Sequence, residues 1–106
     1  MSKYLIQARY TADGAKGLLA DGGTARRAAT EKAIASVGGK MEVFYFALGD
    51  VDAYVIAELP DDISLVALEL VVNATGRINS RSVKLITPED VDKATKKAVT
   101  YHAPGG

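Results

Sequence analysis

The chain has no cysteine, no tryptophan, a single histidine and no surplus of either charge. Without cysteine there is no disulfide, thiolate metal site, iron–sulfur cluster or cysteine nucleophile, and a reducing, cytoplasmic setting is the expectation. The lone histidine, His102, cannot build a multi-histidine zinc site, and no Ser-His-Asp order accompanies it; neither a metal nor a cofactor is expected. Thirteen Lys and Arg balance thirteen Asp and Glu, which removes the long-range attraction of nucleic acid or an anionic membrane. Long hydrophobic runs are missing too. The longest, Leu65 to Val72, is interrupted by Glu69 and falls short of the roughly 20 residues that cross a bilayer. Near the start only Leu5 and Ile6 adjoin before Gln7 and Arg9 intervene, which is not the pattern of a signal peptide.

What is present suits one hydrophobic core. With 106 residues, 48 % of them hydrophobic and 25 % charged, the chain is expected to form a single domain, 1–106, with 101–106 as a tail. Residues 3 to 11, aromatic and aliphatic without a breaker, predict a first strand. The glycines at 14, 17, 22 and 23 then predict an irregular connection. Thr24 is the expected N-cap of a helix to about Val37, with Ala25, Ala29, Ala33 and Val37 at four-residue spacing and Gly38-Gly39 at its end.

From Lys40 to Leu59 two β-rich runs fold back on each other across Gly49-Asp50-Val51-Asp52. Simple alternation puts Met41, Val43, Tyr45 and Ala47 on one face of the first run and Phe44, Phe46 and Leu48 on the other, so both faces call for cover. Pro60-Asp61-Asp62 opens a second helix that Gly76 closes. That helix is apolar nearly all round, with Ser64, Glu69 and Asn73 as a thin polar edge, and a partner subunit is the expected second cover. A fourth strand spans 77 to 86, and Thr87-Pro88-Glu89-Asp90 starts a last helix to about Val99.

The order β-α-β-β-α-β predicts an α+β, ferredoxin-like fold: a four-stranded antiparallel sheet with two helices on one face, plus the C-terminal helix. The other face lacks cover from the chain itself, and a second copy is the economical answer. Gly38-Gly39-Lys40, Phe44-Tyr45, Gly49-Asp50-Val51-Asp52 and Leu59-Pro60-Asp61-Asp62 resemble the corresponding pieces of the GYD-domain family over nearly the whole chain. Val51 stands where that family's hairpin signature has an aromatic. The resemblance implies a subunit of the dimeric α/β-barrel kind and brings no catalytic residues with it. Cofactor-free monooxygenases and isomerases share that architecture, an analogy of fold alone.

Four residues are candidates for a small-molecule pocket at the sheet face: Arg9, Tyr45, Asp52 and Tyr54. Asp52 with Gly49 reads first as turn chemistry and second as a general base or ligand anchor. Arg9, if it faces away from the helices, needs either a carboxylate across a subunit interface, with Glu42 and Glu58 as partners, or an anionic ligand. Tyr45 and Tyr54 read first as core or interface side chains with a satisfied hydroxyl and second as pocket walls. Tyr101 and His102 are the candidates for a tail that reaches a neighbouring subunit. Gly14-Ala15-Lys16-Gly17 and Asp21-Gly22-Gly23-Thr24 match neither phosphate-binding glycine pattern. The run Asp52 to Glu58, acidic at both ends, lacks the basic Gly-Phe character of an RNA-binding strand. The expected partners are therefore another copy of the chain and a small organic ligand, with no nucleic acid and no membrane. Two functions stay open: a ligand-binding oligomer, with or without catalysis, and a non-catalytic assembly or regulatory module.

Overall fold

A computed structural model describes residues 1–106. Its elements are β1 (Ser2–Tyr10), α1 (Ala12–Asp21), α2 (Gly23–Ser36), β2 (Lys40–Phe46), β3 (Ala53–Leu59), α3 (Asp62–Ala74), β4 (Ile78–Leu85) and α4 (Pro88–Thr95). The strands form one antiparallel sheet in the order β2-β3-β1-β4. Helix α2 lies over β2 and α3 over β3 and β4. This is the ferredoxin-like α+β arrangement that the element order predicts.

Strand alternation sorts the core. Tyr4 and Ile6 of β1 and Val55, Ala57 and Leu59 of β3 are buried with Ile34 of α2, and Leu65 and Leu68 of α3 pack against them. The intervening residues, Leu5, Gln7 and Arg9 of β1 and Tyr54, Ile56 and Glu58 of β3, lie on the opposite, open face. No helix of the chain is long and apolar enough to cross a membrane.

The structure differs from the sequence expectations in four places. First, the glycine-rich stretch forms a regular helix, α1. Thr11 caps it, its Oγ1 accepting the Gly14 N–H at 3.2 Å and donating to the Gly76 carbonyl at 2.8 Å. Gly14 is buried where any Cβ would collide with the Arg77 carbonyl oxygen, so this glycine permits close packing of the helix. Second, α2 starts at Gly23, after Gly22 at φ 84°, which leaves Thr24 inside the first turn. Third, an irregularity between Met41 and Val43 shifts the alternation of β2. Met41 joins Phe44 against the core while Val43 and Tyr45 stay on the open face. Fourth, α4 ends at Thr95, earlier than the expected Val99.

In α3 the structure adds what the sequence left open. The polar edge of this helix faces the chain's own β4. Asn73 Oδ1 accepts the Ser80 N–H at 2.7 Å, its Nδ2 donates to the Ser80 carbonyl at 3.4 Å, and the Ser80 hydroxyl donates to Glu69 at 3.5 Å. These bonds satisfy an outward-facing peptide of an edge strand. Ile63, Val66, Leu70 and Val71 consequently point outward and are exposed.

Beyond β4 the chain leaves the body. Every residue from Ile86 to Gly106 is exposed. The radius of gyration is 17.1 Å, against about 13 Å for a compact domain of this length.

Candidate functional site

The open sheet face is built in cross-strand rows. One row runs Tyr45–Tyr54–Gln7–Arg81 across β2, β3, β1 and β4, as the pairings Tyr45 with Tyr54, Tyr54 with Gln7 and Gln7 with Arg81 dictate. The next row toward the start of β1 is wholly apolar: Val43, Ile56, Leu5 and Val83. Beyond it lie Lys40, Glu58, Lys3 and Leu85, and there Lys3 forms an ion pair with Glu42 at 3.2 Å. On the other side of the tyrosine row, beside the hairpin, Arg9 pairs with Asn79.

Three of the four sequence candidates thus share one face. Arg9, Tyr45 and Tyr54 all project from the side opposite the helices, and Tyr45 is 71 % exposed. The alternation of β1 foretold the pairing of Gln7 with Arg9 on one face; only the register could add the two tyrosines. Arg9 is held in place by its Nε–H, which donates to the Asp50 carbonyl at 2.6 Å. Neither Glu42 nor Glu58 pairs with Arg9 within the chain, since the ion pairs are Lys3–Glu42 and Lys84–Asp62.

Asp52 has a different position. Its carboxylate accepts the Tyr10 N–H at 2.8 Å and its own N–H donates to the Ala8 carbonyl at 2.9 Å, while its carbonyl accepts from Ala47 at 2.8 Å. These bonds hold the hairpin loop against the end of β1, the turn role that such a residue commonly plays. Tyr101 and His102 lie in the exposed tail.

Size sets aside the gap between the helices and the sheet, and lining sets aside two further clefts, of about 590 Å³ between α3 and β4 and about 340 Å³ beside Gly23 and Phe46, neither of which is lined by both Arg9 and Arg81. Between α2, α3 and the sheet lies a gap of about 60 Å³, lined by apolar groups such as Ile6, Phe44 and Leu68 with Arg26 and Glu69 at its margin. It holds a few waters at most. At the hairpin end, where the open face meets the β4 edge and the end of α3, Gln7, Arg9, Val51, Asn73, Asn79, Ser80 and Arg81 surround a solvent-open cleft of about 540 Å³, inside the range of small-molecule pockets. Asn79 and Arg81 could not be found from sequence, because their place beside Arg9 depends on the β1–β4 register. Their alternation within 78–85 was the only signal.

The displaced titrations lie elsewhere. At the start of α3, the buried Tyr4 hydroxyl donates to Asp62, which also accepts from Lys84 Nζ at 3.1 Å. The hydrogen bond to Asp62 raises the Tyr4 pKa, with burial adding to it. The Tyr4 hydroxyl, followed by the Lys84 ammonium, lowers that of Asp62, and Asp62 in turn raises that of Lys84. Asp61, the N-cap, is lowered by the Ser64 N–H and then by its hydroxyl. Burial raises Tyr10. None of these groups lines the sheet-face cleft. No cluster of three or more His, Asp or Glu side chains is arranged to hold a metal ion.

A family model described as the GYD domain matches residues 4–95 of the chain. No curated protein and no solved structure matches it. The chain belongs to the GYD-domain family.

Proposed function

We propose that this GYD-domain protein is a homo-oligomeric binding module, whose open sheet face meets a second copy and leaves the hairpin-end cleft as a pocket for a small organic ligand. The observation that carries the reading is the row Val43–Ile56–Leu5–Val83, an apolar stripe across all four strands on a face that no helix covers. A stripe of this kind is self-complementary about a twofold axis, where one copy can bury the other's. The outward apolar side of α3 and the exposed segment from Ile86 onward add surfaces suited to further contacts between copies, Tyr101 and His102 included.

Binding suits the cleft better than turnover. Its walls carry amides, a hydroxyl and guanidiniums, with no carboxylate, histidine, lysine or tyrosine to exchange a proton near neutral pH. The fold analogy to cofactor-free oxygenases and isomerases therefore finds no general base here. Native mass spectrometry of gently purified protein tests the proposal. An oligomer carrying additional small-molecule mass is expected; a stable monomer would remove the interface on which the reading depends.

A further inference from the structure

The two ends of the open face differ in how their charges are met. At the far end, Lys3 and Lys40 stand among Glu42 and Glu58, and Lys3 is paired. At the hairpin end, Arg9 faces Asn79 and Arg81 faces Gln7, which makes the two arginines diagonal neighbours on adjacent strands. Diagonal positions of this type bring Cβ atoms within about 7–8 Å, close enough for two long side chains to converge. Like charges so placed repel unless something negative lies between them. No ion pair within the chain involves either guanidinium.

The surroundings add to this. The Arg9 Nε–H is committed to the Asp50 carbonyl, which fixes the plane of the guanidinium while leaving its terminal nitrogens to donate. The amides of Gln7 and Asn79, which no hydrogen bond within the chain engages, share the same wall. Tyr54 stands next to Gln7 in the row, and Leu5 and Ile56 follow in the row beyond.

We infer that this cleft binds a small organic anion, its carboxylate or phosphate head between Arg9 and Arg81 and its apolar body laid past Tyr54 toward Leu5 and Ile56. The inference deepens the ligand-binding reading and takes from it the second copy as the far wall; the contacts to the anionic head all belong to one chain. Planar guanidiniums match both head groups through paired N–H donors, which a lysine could not do.

The test is an NMR titration of isotope-labelled protein with two probes, benzoate and inorganic phosphate, with the sedimentation coefficient measured in the same buffer. Saturable shifts are expected at the amides of Arg9, Asn79 and Arg81, and the probe that binds more tightly identifies the head group. Arg9→Gln and Arg81→Gln should each raise the Kd at least tenfold, and Arg27→Gln, on exposed α2 surface, should leave it unchanged. Absence of saturable shifts with both probes overturns the proposal. So does a result in which the arginine variants dissociate the oligomer while the parent binds neither probe, because the arginines would then be pairing with acids of the second copy. An oligomer that binds neither probe rejects the anion site alone, whereas a monomer that binds rejects the assembly alone.

Discussion

On the helix side of the sheet, Tyr4, Val55, Ala57 and Leu59 are almost wholly removed from water; one residue along each strand, Leu5, Gln7, Tyr54 and Ile56 reach only partial cover. The same two strands supply both sets, so backbone propensity cannot account for the difference. Helices α2 and α3 do. The helix side is a finished core, while the open side has the composition of an interface: an apolar stripe flanked by charged and amide groups. α3 repeats the contrast on a smaller scale, spending its polar edge on β4 and turning Ile63, Val66, Leu70 and Val71 outward.

The sharpest way to probe that contrast is to truncate one residue from each side of β3. Leu59→Ala, which empties a fully buried site, should cost about 2–5 kcal/mol of folding stability. Tyr54→Ala, on the open face, should cost dilute protein about 1 kcal/mol or less while weakening self-association. Denaturant unfolding of both variants at low concentration checks the pair. Similar large losses would mean that the open face is already part of the chain's own core.

The helix side also makes a pH prediction. Tyr4 and Lys84 have raised pKa values, so the stability that they contribute is complete below their unfolded values and is lost as pH rises through their folded ones, above about pH 10. Asp62 and Asp61 are lowered, and their contribution, present above the unfolded value, is lost as pH falls below about 4. Thermal unfolding across this range should show both arms. Asp62→Asn should flatten the Tyr4 and Lys84 part of the alkaline arm, and an unaltered alkaline arm would exclude the Tyr4–Asp62–Lys84 group as its source.

The smallest expected effect lies at a polar atom on the dry side. Ser82 Oγ is buried under α3 without a hydrogen-bond partner. Ser82→Ala should therefore stabilise the fold, by up to about 1 kcal/mol. A loss of stability in equilibrium unfolding would show that the hydroxyl is in fact satisfied.

Much of the fold was legible in the sequence because punctuation and periodicity agreed. Thr87-Pro88 and Asp61-Asp62 opened α4 and α3, Gly38 and Gly76 followed the ends of α2 and α3 at positive φ, and the hairpin fell around residues 47–52. The expectation failed where tertiary contacts overrode local rules. α1 tolerates its glycines because Gly14 abuts Arg77, and a one-residue irregularity moved Met41 to the other face. The cleft was legible only in part. Arg9 announced itself as a charge within an apolar strand, but Asn79 and Arg81 depend on a register that pairs residues 70 and 74 positions apart, which no local pattern encodes.

Sedimentation velocity of the parent chain and of Ile56→Glu over a wide concentration range decides whether the open face is an interface between copies. Ile56 sits in the middle of the apolar row and outside the core cluster, so a glutamate there should leave a folded chain with a buried charge only in the assembled state. The parent protein should sediment at twice the chain mass or more, and the variant, still folded, at the mass of one chain. A parent that stays monomeric at every concentration, or a variant that assembles as well as the parent, would show that the open face is not where copies meet.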